Sequence, residues 1–166
     1  MNVLKAGLPS VRCLRATKAV TGVAVALPLV SVLFAPEAVA DRAPVVEQAV
    51  SSARSAAPCG PLQYNPTVER AADIVNRSTY AFLNHTAENV PADEPHPTAI
   101  AKDLGIVGSK ITSLQGAGHN EADALKGMLL EGRNDIPDCS YTEFGSSLLY
   151  EEQSGFTLIV VVLAGA

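Results

Sequence analysis

The chain has 166 residues, 17 Asp/Glu against 12 Lys/Arg, a formal charge of −5 and no tryptophan. A balance this acidic argues against binding nucleic acid or an anionic membrane through bulk charge. The length suits one domain with a core of its own.

The first 40 residues carry the pattern of a cleavable export signal. Lys5, Arg12, Arg15 and Lys18 precede a largely apolar run, Ala19 to Phe34, and Ala38-Val39-Ala40 supplies a small-x-small exit. The run is 16 residues long, with Pro28 inside it and Pro36 just beyond, whereas a membrane span needs about 20 apolar residues. The expected organisation is a signal peptide over residues 1–40 and a single domain over residues 41–166, starting at Asp41 and without a transmembrane anchor. Loss of the leader removes four basic residues and Glu37, leaving eight basic and 16 acidic residues and a charge of −8.

Export places the protein in an oxidising compartment. Cys13 leaves with the leader and precedes the apolar run, which argues against a lipid-anchored cysteine. Cys59 and Cys139 remain as an even pair and are expected to be bonded, closing a loop worth roughly 4–5 kcal/mol by chain entropy.

Val45 to Ala57 has helical spacing, with Val45, Val46, Ala49, Val50 and Ala53 on one side and Pro44 suited to the first turn. Pro58-Cys59-Gly60-Pro61 breaks the chain. Asn65 and Pro66 open a second helix, as cap and first turn, which runs to about Leu83 or Asn84 with a stripe of Val68, Ala71, Ala72, Val75 and Phe82. Two glycosylation sequons, at Asn76 and Asn84, fall in or at the end of this helix and are read as chance matches.

Pro91 to Pro97 reads as a loop, with His96 in solvent between two prolines. Leu104 to Leu114 reads as a turn and a short extended segment, and Gln115-Gly116-Ala117-Gly118 as a loop. Asn120 caps a third helix, with Asp123 three residues on; Ala124, Leu125, Met128 and Leu129 form its buried face and Gly132 ends it. Glu143–Tyr150 and Phe156–Leu163 read as two strands of a hairpin, the second apolar enough to be a central strand covered on both faces. Three helices and a terminal hairpin make an α+β domain with helices packed on a small antiparallel sheet.

Familiar catalytic signatures are missing. Gly116-Ala117-Gly118 lacks the third glycine of a dinucleotide fingerprint and the Gly-Lys-Ser/Thr of a phosphate loop. His119-Asn120-Glu121 with Pro137 and Cys139 has Thr142 where a zinc deaminase needs its second cysteine. Gly145-Ser146-Ser147 is followed by leucines, not by the closing glycine of a nucleophile elbow.

Pro61-Leu62-Gln63-Tyr64-Asn65-Pro66, leading through Thr67-Val68-Glu69-Arg70 to the double-small step Ala71-Ala72, resembles the start of a CAP (SCP-like, cysteine-rich secretory protein) domain. In that family the helix ends in a His, which His85 matches. A Gly-rich "Glu-Asn-x-x-x-Gly" loop follows, and Leu114 to Gly118 sits at the corresponding place. Leu130-Glu131-Gly132-Arg133-Asn134 stands where "Ser-Pro-Gly-His-Arg" often follows the third helix, and Phe144-Gly145-Ser146-Ser147-Leu148 with Gly155-Phe156-Thr157-Leu158 is similar to the closing hairpin. The resemblance spans Val45 to Leu163 and implies a small, divergent, exported bacterial member with a reduced α-β-α sandwich.

The family's cleft often holds a divalent ion on two His and two Glu. By the resemblance, His85 is the first His, Gln115 replaces the first Glu and Arg133 replaces the second His, with His119 or Glu121 as stand-ins. An amide is a poor ligand and a guanidinium has no lone pair to offer. The ligand-binding candidates are therefore His85, Gln115, His119, Glu121 and Arg133, with no metal, cofactor or catalytic residue assigned. The reading implied is a secreted domain with a degenerate ion site that binds a small ligand, a lipid or a cell-envelope component. The alternatives are an exported hydrolase or metal-assisted enzyme using the cleft near His85, and a purely structural envelope protein.

Overall fold

The computed structural model describes residues 43–86, 96–108 and 110–166. The expected leader and its cut after Ala40 lie outside these residues, as does most of the expected proline loop. The elements in chain order are α1 (Pro44–Arg54), β1 (Gln63–Tyr64), α2 (Pro66–Leu83), α3 (Thr98–Leu104), β2 (Lys110–Gly118), α4 (Glu121–Glu131), β3 (Tyr141–Glu151) and β4 (Phe156–Gly165). The sheet order is β1-β3-β4-β2, and β4 runs antiparallel to both of its neighbours.

β4 organises the molecule because each of its residues after Phe156 is buried. Successive side chains of a strand point to opposite faces. Val160, Val162 and Ala164 pack with Val68, Ala71, Ala72 and Val75 of α2 and Ala101 of α3. Ile159, Val161 and Leu163 pack with Val46 and Val50 of α1 and Ala124 and Met128 of α4. The result is an α+β domain of three layers, with the sheet between two helix pairs, as expected for a central strand covered on both faces.

The helix starts follow the sequence. Asn65 Oδ1 accepts from the Thr67 N–H at 2.8 Å, and Asn120 Oδ1 from the Asp123 N–H at 2.9 Å; both caps satisfy an otherwise unpaired amide. α1 stops at Arg54 instead of Ala57, where the side chain of Arg54 turns inward.

Three expectations change. A fourth helix, α3, stands between Pro97 and Gly105; at seven residues it is too short to display an apolar period, and Gly105 closes it at φ +71°. The segment 115–118 is not a loop but the second half of β2. A Cβ at Gly116 would meet the Ala124 carbonyl and the Met128 N–H, so this glycine permits the close approach of α4. The sheet is mixed, because β1 pairs in parallel with β3 through Gln63–Glu143 and Tyr64–Phe144.

The Cys59–Cys139 bond is present, with Cα atoms 5.4 Å apart, and ties the α1–β1 linker to the segment before β3. No helix among the described residues is long and apolar enough to cross a membrane.

Candidate functional site

The apolar stripe of α2 is interrupted by two polar residues, Asn76 and Thr79, and a groove lies beside them. Asn76 is completely buried. Its Nδ2 reaches the Ser147 carbonyl, the Ser147 hydroxyl and the Leu158 carbonyl, each at 3.2 Å. Its Oδ1 is buried and has no hydrogen-bond partner among the described residues. The groove has a volume of about 140 Å³, and Asn76, Thr79, Gln115, Ala117, Leu158 and Val160 are among its walls.

Strand register explains this set. Gln115 lies opposite Val160 and Ala117 opposite Leu158, two consecutive rungs on the face that α2 covers. Thr79 Oγ1 lies 3.3 Å from the Val75 carbonyl and 3.5 Å from Gln115 Oε1. Beyond the last β2–β4 pair, Gly118 and Thr157, the rings of His119 and Phe156 stack with centroids 4.3 Å apart and planes 21° from parallel.

Of the five residues singled out in the sequence, Gln115 alone lines this groove. His85 is exposed and follows the C-cap Asn84 of α2. Its backbone is left-handed, with φ +54°, a conformation uncommon outside glycine although histidine adopts it more often than most residues. His119 is exposed on its stacked partner. Glu121 is the first residue of α4 and is exposed. Arg133 is exposed in the turn after α4, a helix that packs on the face of the sheet opposite α2.

These five do not fit a divalent cation. Arg133 has no lone pair and Gln115 offers only an amide oxygen, and a tight zinc site wants three or four good donors. Among the described residues, no group of three or more His, Cys, Asp or Glu is arranged to hold a metal.

Two carboxylates hold the ends of the layers in place. Glu151 is buried at the tip of the β3–β4 hairpin, where it accepts from the Gln153 N–H at 2.9 Å and the Ser154 N–H at 2.6 Å. Hydrogen bonding to Ser154, then to the turn amides and the Asn84 side chain, keeps its carboxyl below the ordinary glutamate value. At the other end, Asp138 accepts from Lys110 Nζ at 2.5 Å and from the Ser140 N–H and hydroxyl at 2.9 and 2.8 Å. The lysine above all, then the serine, hold this carboxyl well below the usual range.

Sequence reasoning missed Asn76, Thr79 and Glu151. The available signal was a polar pair at i and i+3 inside a buried helical stripe, where an apolar side chain is the norm.

No protein-family model matches the chain, and no curated protein matches it. Among solved structures, a cysteine-rich secretory protein from Staphylococcus aureus aligns with a TM-score of 0.57 and 11% identity, over 74% of this chain and 37% of that one. An outer surface protein from Borrelia burgdorferi aligns with a TM-score of 0.58 and 11% identity, over 74% of this chain and 90% of that one. The chain thus spans little more than a third of the staphylococcal protein and most of the Borrelia one. At this identity the likeness concerns architecture. The chain carries a divergent CAP-like fold, the α+β arrangement of a cysteine-rich secretory protein in reduced form.

Proposed function

We propose that the chain is an exported single-domain CAP-like protein that binds a small ligand, a lipid or an envelope component and does not catalyse a reaction. The observation that carries the reading is the composition of the α2–β2 groove. Among the described residues its polar side chains are two amides and a hydroxyl, with no nucleophile–base pair and no charged side chain. Support for export comes from the basic-apolar-small pattern of residues 1–40 and from the disulfide. The names of the two structural neighbours, a secretory protein and an outer surface protein, agree with it.

One observation favours the rival reading, a hydrolase or metal-assisted enzyme near His85. The left-handed backbone of His85 is a strained conformation of the kind found at functional sites.

Co-sedimentation of the exported protein with envelope fractions of its own host tests the proposal, alongside ester and peptide hydrolysis assays with and without zinc. Saturable retention without turnover is expected. Zinc-dependent turnover that His85→Ala abolishes, with no envelope retention, would replace the binding reading by the enzymatic one.

A further inference from the structure

The Cys59–Cys139 bond joins two segments that other bonds already hold together. Arg54 Nε donates to the carbonyl of Gly60 at 3.0 Å, and its Nη1 to the carbonyl of Asp138 at 2.7 Å. Gly60 follows one cysteine and Asp138 precedes the other. Beyond Cys59 the chain is anchored by the pairing of β1 with β3. Around Cys139 it is anchored by Lys110 Nζ, which donates to Asp138 Oδ2 at 2.5 Å and to Ser140 Oγ at 2.8 Å. A disulfide stabilises mainly by constraining the unfolded chain. Opening this one leaves the folded contacts between its two segments in place.

The bond is also accessible. Cys139 is exposed and Cys59 half-buried, and exposed disulfides are the labile, regulatory kind. Cys59 stands in the wall of a cavity of about 190 Å³, together with Ser51, Arg54, Ser55 and Pro61. A sulfur released there shares the cavity with a buried cation. An acceptor for the reduced form is in position as well. The Pro137 carbonyl oxygen lies 3.5 Å from Cys59 Sγ and 4.0 Å from Cys139 Sγ, within reach of an S–H donor.

We propose that Cys59 and Cys139 form a reversible dithiol–disulfide couple, which an exported protein dithiol reduces without unfolding the domain. A thiolate of the dithiol attacks the exposed Cys139 Sγ. The new S–S bond forms as the Cys59–Cys139 bond breaks. The electron pair leaves on Cys59, which takes a proton from water and donates it to Pro137. The second thiolate of the dithiol then attacks its own sulfur in the mixed disulfide and releases Cys139. The domain gains two electrons and two protons, and the dithiol becomes a disulfide.

The test treats the exported, disulfide-bonded protein with dithiothreitol in the absence of denaturant. Thiols are counted by alkylation and mass, and the fold is read by amide-resolved NMR. Two thiols per chain should appear together. The reduced spectrum should stay dispersed, with shifts confined to residues 58–61 and 136–141, and oxidised glutathione should restore the original. The chain carrying both Cys59→Ser and Cys139→Ser should give the dispersed spectrum of the reduced form. Reduced glutathione, a monothiol, should leave its adduct on Cys139 and a free thiol on Cys59. Arg54→Lys should stay folded when oxidised and lose dispersion when reduced.

Thiols that appear only in denaturant would overturn the proposal, as would a reduced wild type or a double serine variant that unfolds. An adduct carried chiefly by Cys59 would overturn the assigned direction of attack. A reduced Arg54→Lys as well folded as the reduced wild type would remove Arg54 from the account. If Arg54→Lys fails to fold even when oxidised, the wild type and the double serine variant decide the matter.

Discussion

The Arg54 guanidinium donates to the carbonyl oxygen of Tyr141 at 2.8 Å, across 87 residues of chain. The same side chain, only 3% exposed, also donates to the carbonyls of Gly60, Ile136 and Asp138 at 3.0, 2.7 and 2.7 Å. A buried cation is thus held by four carbonyl dipoles. It also sits in the last turn of α1, where the helix dipole favours positive charge. The planar fork of arginine suits several fixed acceptors at once, and a lysine ammonium does not.

Arg54→Met should therefore destabilise the protein by about 3 kcal/mol or more, because it strands four carbonyls that accept from a charged donor. Arg54→Lys should recover less than half of that. Denaturant unfolding of the three proteins checks this, and a loss below about 1 kcal/mol for Arg54→Met would show that the cage is not structural.

Gly60 and Asp138, two of the acceptors of Arg54, are each next to a cysteine of the Cys59–Cys139 bond. The bridge spans 80 residues of sequence, and its reduction should lower stability by roughly 4–5 kcal/mol. Thiol labelling of the unfolded, unreduced exported protein should find no free cysteine; two reactive thiols per chain would refute the pairing in the exported form.

The first turns of α2 lie against β3 at Gly145, where an added Cβ would meet the Glu69 N–H and the Val68 carbonyl carbon. Both are backbone atoms and cannot swing aside. Gly145→Ala should cost roughly 1–3 kcal/mol through displacement of the helix, read as a fall in melting temperature; an unchanged melt would mean that α2 sits further from the sheet.

Acid stability has a definite sign. Asp138 and Glu151 are both more acidic in the folded protein than when unfolded. Their contribution is complete above the unfolded carboxylate values of about 4 and is lost as pH falls toward the lower folded ones. Unfolding free energy should be level from about pH 7 to 5 and decline below about pH 4, with a shallower decline in Asp138→Asn. Denaturation curves across this range would disagree with the assignment if stability rose on acidification.

Much of this fold was readable from local pattern. α1, α2, α4 and the β3–β4 hairpin declare themselves by period, cap or apolar run, and the unbroken apolarity of 158–164 marked the central strand. α3 escaped because seven residues between a proline loop and Gly105 carry no period. The end of β2 escaped because Gly116 and Gly118 look like turn residues, whereas they are there to admit α4. The site was less legible. Gln115 was found through a family pattern, but Asn76 and Thr79 look like interruptions of a helix face until the sheet behind them is known. His85 was placed correctly at the helix end. The left-handed turn that follows Asn84 is a backbone property with no sequence period. The role of Arg54 depends on four acceptors up to 87 residues away, which no local window contains.

The most direct measurement is a set of thermal melts of the exported protein and its His85→Ala variant, each with and without zinc. Gln115 and Arg133 are poor or impossible ligands, so zinc should raise neither melting temperature appreciably. His85→Ala should change stability by no more than roughly 0.5–1 kcal/mol, the value of a helix-end interaction. A large zinc-dependent rise in the wild type that vanishes in His85→Ala would instead establish a working ion site and move the metal-assisted enzyme to first place.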